Sequence, residues 1–395
     1  MYPDLSYFFH DLFGTEVDNW TSIFKTFGVF LALTFAVAYY FLKIEFIRME
    51  KEGRLQKIPI KNPESSNTPL KEGLINGIIG FLVGFKIPVV YQQFEAFKSD
   101  PAGIIFSSEG NWMVGPVLGI LMGLYYYFNA KNRPPIEKNV ALYIMPHQKT
   151  GDMLLLAAIS GIVGSRLASI IENLDAFFAD PLGQLFSGSG LTIYGGLILA
   201  FILVYRYVKK IGIPPIHVMD AVAPALLVGY AIGRMGCQFS GDGDWGIENT
   251  APKPDWFIFP DWAWAYDYPR NVADFYQRGA KLPDCVGNFC THLDPPVFPT
   301  PIYEIVGSLL ILAFIWSIRK KIKTPGMIFF IYLVLSSFSR FFVEKIRVNP
   351  RYDLFGLEWS MSQTISAVLV LIGLIGIFKL RGQSNKPDYT IPDLE

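Results

Sequence analysis

Gly229-Tyr230-Ala231-Ile232-Gly233-Arg234-Met235-Gly236-Cys237-Gln238-Phe239-Ser240-Gly241-Asp242-Gly243-Asp244-Trp245-Gly246 runs from an apolar segment into a loop crowded with glycine and aspartate. Arg234 therefore stands where a membrane span would meet water. An ionisable residue in that place is costly and marks a functional site by default, although span-end arginines also snorkel to lipid headgroups. The stretch leaves both readings open, and the rest of the chain has to decide between them.

Half of the 395 residues (51%) are hydrophobic, and formal net charge is zero. That is too apolar for a soluble protein of this length and indicates an all-α polytopic membrane protein. The balanced charge argues against nucleic acid as a partner. Three cysteines allow neither a disulfide framework nor a metal-ligand cluster, and no phosphate-cradling glycine motif follows a strand pattern, so no metal and no cofactor are expected. Met1–Trp20 is acidic and lacks the basic flank of a cleavable signal peptide.

Nine apolar stretches approach the length needed to cross about 30 Å of hydrocarbon. They are Ile23–Leu42, Leu74–Val90, Met113–Phe128, Met153–Ile171, Leu191–Tyr205, Met219–Gly236, Ile302–Ile318, Met327–Phe342 and Met361–Phe378. Most of the lysines and arginines fall in one alternating set of loops, which the positive-inside rule assigns to the cytoplasm. The N-terminus is then periplasmic and the C-terminus cytoplasmic. The expected division is a first span within 1–42, a charged linker and two further spans in 43–150, and core spans in 151–236. A periplasmic head in 237–301, the last spans in 302–381 and a disordered tail in 382–395 follow. The head is rich in Trp245, Trp256, Trp262, Trp264, Tyr266 and Tyr268. Those rings suit either an interfacial belt or the head's own core. Cys285 and Cys290 are spaced so that a disulfide is permitted in an oxidising compartment. No internal repeat is expected, which weighs against a transporter built from inverted halves.

At about 1.5 Å of rise per residue, Arg166, Arg234 and Arg340 reach similar depth in outward-running helices, roughly 20 Å above the cytoplasmic end. Glu304 and Tyr194 enter from the outer face, and Glu344 and Arg347 follow Arg340 along one helical face. Lys25 and Lys86 stand apart and are expected to snorkel. Helix-to-helix ion pairs such as Arg340–Glu344 or Arg166–Glu304 would account for some of these groups, but arginine is in excess over glutamate. That surplus suits a phosphate or carboxylate, which a guanidinium grips with two hydrogen bonds.

These residues resemble the prolipoprotein diacylglyceryl transferase family. The signature Gly-Arg-x-Gly-(Cys/Asn), followed by a Gly-Asp turn and a closing Gly, stands here as Gly233-Arg234-Met235-Gly236-Cys237, Gly241-Asp242 and Gly246. Gly164-Ser165-Arg166-Leu167, Phe178-Ala179-Asp180-Pro181-Leu182, Gly195-Gly196-Leu197-Ile198 and Met219-Asp220-Ala221 follow the family's order. So do Pro299-Thr300-Pro301-Ile302-Tyr303-Glu304, Arg340–Arg347 and Ser360-Met361-Ser362-Gln363. The resemblance implies a seven-helix core with two extra helices, set in a bacterial inner membrane with its active site in the periplasmic half. It implies transfer of the diacylglyceryl group of phosphatidylglycerol to the lipobox cysteine of an exported prolipoprotein. It assigns catalytic roles to Arg234, Arg340 and Tyr194, and substrate-binding roles to Arg166, Glu304, Glu344, Arg347, Cys237, Gly246 and Asp220. Phosphatidylglycerol, prolipoprotein signal peptides and membrane lipids would be the partners. Tyr194 stands where the family has a proposed histidine base, and Phe298, Ser336 and Phe27 replace further polar residues; His292 is the histidine with plausible access. These departures keep open an inactive lipid-binding relative, with an anionic-lipid transporter as a more distant alternative.

Overall fold

A computed structural model describes residues 1–59, 68–99, 101–132, 143–186, 192–273, 279–283, 285–354 and 356–381. The tail expected to be disordered, residues 382–395, lies outside the described residues. Among the described residues, seven helices are long and apolar enough to cross a membrane: Thr26–Lys51, Pro69–Gln92, Pro146–Glu172, Pro215–Ser240, Thr300–Ile318, Met327–Ile346 and Met361–Arg381. Helices Val114–Lys131 and Ile193–Lys210 occupy the two remaining apolar stretches. Among the described residues, strands are confined to three short antiparallel pairs. The chain is thus an all-α polytopic membrane protein.

Two compact units divide it. The first comprises Met1–Leu55, His147–Leu154 and Val208–Glu395, and the second Gln56–Pro146 and Leu155–Tyr207. Pro215–Ser240 is the axis of the first unit. It is buried along most of its length, whereas no more than 22% of the most apolar window of each of the other six spans is buried, as for lipid-facing helices. Its glycines explain how a neighbour comes so close. A Cβ at Gly236 would lie 2.9 Å from Phe30 Cβ and one at Gly229 3.3 Å from Thr34 Cγ2, so Thr26–Lys51 packs onto a face of small residues. On another side Ser308 donates to the Leu227 carbonyl at 2.8 Å, while Ala223, Leu227, Ile315 and Ile328 form a fully buried cluster.

The first helix extends well past the expected boundary at Leu42. It continues to Lys51 because its charges are paired: Glu45 lies 2.7 Å from Arg48 and 2.8 Å from Arg319. Lys25 is partnered too, 3.4 Å from Asp4, rather than merely snorkelling. The aromatic residues after Gly246 divide between the two readings. Trp245 and Tyr268 join Leu293 and Val297 in a core, whereas Trp256 (74% exposed) and Trp262 (51%) project outward. Cys285 and Cys290 form a disulfide, leaving Cys237 as the buried free thiol.

Largely in the second unit, Pro69–Gln92, Phe94–Ser99, Pro101–Phe106 and Val114–Lys131 are followed by Thr150–Glu172, Leu174–Ala179, Pro181–Phe186 and Ile193–Lys210. The order and lengths recur, where no internal repeat was expected.

Candidate active site

The signature helix ends where its sequence changes character. Gly241 adopts the left-handed conformation (φ 65°) that closes a helix C-terminus, and its N–H caps the Cys237 carbonyl. The chain then turns back through Asp242 and Asp244 over the last turn of the helix. Gly246 fixes that turn. Its N–H donates to the Phe298 carbonyl at 2.8 Å, and the next N–H, of Ile247, donates to Ile346 at 2.8 Å. A Cβ at Gly246 would meet the Ile346 carbonyl oxygen at 2.5 Å, so this backbone approach admits only glycine.

The turn and three helices bring a ring of charges together. Arg234 Nε lies 2.9 Å from Glu304 Oε2, and its Nη1 hydrogen-bonds Asp244. Arg347 bonds the other oxygen of Asp244 and approaches Glu304 Oε1 at 3.6 Å. Tyr230, one turn before Arg234, donates to Glu304 Oε1 at 2.6 Å and sets its ring under the guanidinium, 5.1 Å from centroid to carbon. Two arginines from separate segments thus alternate with two carboxylates, and Arg340 acts electrostatically on Tyr230 from a third helix. All three arginines and Glu304 belong to the group the sequence singled out.

Asp244, Tyr230 and Thr300 were not. Asp244 is the hinge of the arrangement: besides both arginines it receives the Cys237 thiol at 3.3 Å, and its carbonyl accepts from Thr300 Oγ1 at 2.9 Å. Burial raises its carboxyl, but Arg234 and Arg347 outweigh that and hold it below the usual carboxylate range. Neighbouring Asp242 is pushed up, first by burial and then by the charge of Asp244. Cys237, Asp242 and Asp244 offer ligand atoms within 4.8 Å of one another, a spacing a cation could bridge. Both oxygens of Asp244 are nevertheless engaged by guanidiniums, whose positive charge opposes a cation there. One missed signal was available: Tyr230 stands at i−4 from Arg234, on the same helical face.

The other expected residues serve different positions. Glu344 accepts from Ser360 Oγ at 2.9 Å and from Asn349. Ser360 and Gln363 cap the last helix reciprocally, Ser360 N–H to Gln363 Oε1 at 3.0 Å and Gln363 N–H to Ser360 Oγ at 3.2 Å. Glu344 therefore anchors the arginine segment to the start of the final helix. Asp220 stands apart from the ring. Fourteen residues before Arg234, it is about 21 Å down the same helix. There it accepts from the Gly326 and Phe329 N–H groups at 2.7 and 3.0 Å, which caps the helix beginning at Met327, and it pairs with Arg54 at 3.4 Å. The structure places Asp220 in a helix cap, not beside Arg234. His292 sits in a short hairpin, 3.5 Å from Asp267.

Arg166 and Tyr194 belong to the second unit. Arg166 is buried on Thr150–Glu172, and Tyr194 lies in the first turn of Ile193–Lys210. The two helices cross on glycine: a Cβ at Gly164 would meet the Gly195 carbonyl oxygen at 2.5 Å, and one at Gly196 the Gly161 oxygen at 2.6 Å. Thr192 N–H donates to the Ser165 carbonyl at 3.2 Å, which ties the start of the Tyr194 helix to the residue before Arg166.

Known proteins carry the same pattern. The profile of the family described as prolipoprotein diacylglyceryl transferase matches residues 117–379. A phosphatidylglycerol–prolipoprotein diacylglyceryl transferase of Corynebacterium diphtheriae is 27% identical over 310 residues, covering 73% of this chain and 96% of that protein. Proteins of the same name from Clostridium novyi (28% over 243 residues; 61% and 83% covered) and Dehalococcoides mccartyi (30% over 246; 60% and 82%) are also similar. With two thirds of its length matched and the signature arginine set among carboxylates, the chain belongs to the prolipoprotein diacylglyceryl transferase family.

Proposed function

We propose that this enzyme transfers the diacylglyceryl group of phosphatidylglycerol to the lipobox cysteine of an exported prolipoprotein. The sulfur forms a bond to the glycerol carbon of the diacylglyceryl group as that carbon's bond to the phosphate oxygen breaks. Glycerol phosphate leaves with the electron pair, and the thiol proton passes to a base. The observation that carries the reading is the Arg234–Glu304–Arg347–Asp244 ring, together with family membership. Its carboxylates aim the guanidiniums without consuming all their donors, and Arg340 adds a further positive charge. Such preset donors stabilise a leaving phosphate by the same means as an oxyanion hole. They also favour ionisation of an incoming thiol, whose ordinary pKa near ~8.5 leaves little thiolate at neutral pH.

In this reading the chain spans the bacterial inner membrane nine times, N-terminus outside, with Arg234, Glu304 and the segment after Gly246 on the periplasmic side. The exposed Trp256 and Trp262 then rest at the outer lipid boundary. The family resemblance assigns Arg166 and Glu344 to headgroup binding or orientation and Tyr194 to the position of the missing histidine. Incubating the purified protein with phosphatidylglycerol and a lipobox peptide tests the reading by mass spectrometry. A peptide heavier by one diacylglyceryl group is the expected product. An unchanged peptide, where another family member modifies it, would contradict transfer and leave an inactive lipid-binding relative.

A further inference from the structure

The chain contains the same helix design twice. A long helix, two six-residue helices and a second long helix recur at a spacing of about 80 residues. The sequences agree where the short helices lie. Ala96-Phe97, Asp100-Pro101, Gly103 and Phe106-Ser107 correspond to Ala176-Phe177, Asp180-Pro181, Gly183 and Phe186-Ser187. Further on, Pro134-Pro135-Ile136 corresponds to Pro214-Pro215-Ile216.

Contacts within each copy correspond as well. Gln93 N–H donates to Val89 O at 2.8 Å and Phe97 N–H to Gln93 O at 2.8 Å; Asn173 donates to Ser169 and Phe177 to Asn173, each at 3.1 Å. A Cβ on Gly84 would meet Val114 O at 2.7 Å and Leu118 Cβ at 3.0 Å, and one on Gly164 would meet Gly195 O at 2.5 Å and Leu199 Cβ at 2.7 Å. Gly115 faces Phe81 and Phe85, as Gly196 faces Gly161 and Ser165. Asn111 N–H reaches the Phe85 carbonyl, as Thr192 N–H reaches that of Ser165. The second helix keeps one register throughout, a single residue longer in its spacing. Helix pairs that merely share a length would not share their crossing residues.

The alignment sets Lys86 against Arg166 and Met113 against Tyr194. Lys86 is not a snorkelling lysine. Its Nζ lies 3.1 Å from Ile104 O, 2.5 Å from Ser107 O, 3.1 Å from Ser107 Oγ and 2.9 Å from Glu109 O. An ammonium has three N–H donors, and here neutral acceptors of its own copy occupy them. Nothing is left over to grip a phosphate, and lysine lacks the planar fork that guanidinium would bring.

We propose that residues 69–132 and 149–212 are two copies of one helix–arm–helix module, the arm being the two six-residue helices and the loop after them, and that the first copy has exchanged anion binding for an internal tether from Lys86 to its own arm. The second copy, with Arg166 and Tyr194, alone serves the transfer reaction, and this clause rests on the proposed function above. Full-chain Lys86→Met and Arg166→Met variants test the division of labour. Lys86→Met is expected to raise protease cleavage between residues 99 and 113 several-fold while diacylglyceryl transfer per folded molecule stays within about twofold. Arg166→Met is expected to lower transfer by about tenfold or more. Unchanged cleavage in Lys86→Met overturns the tether, and lost transfer in that variant, with the rest of the chain folded, overturns the idle first copy.

A third variant tests the duplication without reference to transfer. Residues 69–132 are replaced by the sequence of 149–212, and in a control by a shuffled sequence of the same composition. The duplicated chain is expected to be monodisperse in detergent, with the thermal midpoint of the native protein to within a few degrees, and the shuffled chain aggregated. If both fail alike, the two segments are not copies. If the native protein itself transfers nothing, the cleavage and replacement results still decide the module and its tether.

Discussion

The two ends of Pro215–Ser240 both hold arginines among carboxylates, yet they are built to different ends. Near its N-terminus, Asp220 pairs with Arg54, and the network runs on through Glu52 and Arg48 to Glu45 and Arg319. Three acids meet three arginines, Arg319 is also stacked on Trp316, and Asp220 is bound to two backbone N–H groups. The C-terminal end has Arg234, Arg347 and Arg340 against Glu304 and Asp244. Its second acid comes from a loop rather than a helix, and Asp242 and Glu344 act on Arg234 and Arg347 from nearby. A balanced network of this kind fixes helices in place. In the proposed reading the ring whose arginines are aimed by a loop aspartate is the one that receives an anion.

Four changes break or sharpen that contrast. Arg234→Ala should have the largest effect on chemistry, lowering transfer by about 100-fold or more with the helices still assembled; the rate of peptide modification measures it. Glu45→Ala should do the reverse. It takes the carboxylate from buried Arg319 while Arg48 keeps Glu52, and removing one partner of such a set typically costs about 3–5 kcal/mol, read as a lower thermal midpoint in detergent. Transfer by the surviving folded protein should be little altered. Gly246→Ala should fall between, because its methyl must displace the Ile346 carbonyl or Phe298. Several-fold slower transfer is expected, together with a clearly lowered thermal midpoint because a backbone carbonyl has to shift.

The smallest effect concerns pH. Asp244 titrates below its ordinary range in the folded protein, so its pairing is fully stabilising above the carboxylate's unfolded value. That contribution fades as pH falls through the lowered folded value. Thermal midpoints measured across acid pH should therefore drop less steeply in Asp244→Asn than in the native protein. Equal slopes would mean that the ring is not held by Asp244.

Much of this was legible in the sequence because membranes restrict what a chain can do. Apolar runs gave the helices, and Arg234, Glu304, Arg340 and Arg347 stood out because charge is costly in such surroundings. What escaped is equally physical. Asp244 belongs to a hydrophilic loop, where an aspartate carries no signal until the turn at Gly246 folds it over the helix. Glu45 and Arg48 read as the end of a span, since their pairing with Arg319 depends on packing distant in sequence. Asp220 matched a family motif, but only the structure shows it capping the helix at Met327. The proposed repeat escaped because its two copies agree only at a few residues, the glycine crossings and the short helices.

The most direct test of the central claim follows both products of one reaction. Phosphatidylglycerol labelled in its headgroup is incubated with a lipobox peptide and either the native protein, Glu45→Ala or Arg234→Ala. One glycerol phosphate released per thioether formed, by the native protein and by folded Glu45→Ala but not by Arg234→Ala, is the predicted result. Thioether formation undiminished in Arg234→Ala, or peptide modification without release of glycerol phosphate, would contradict the account.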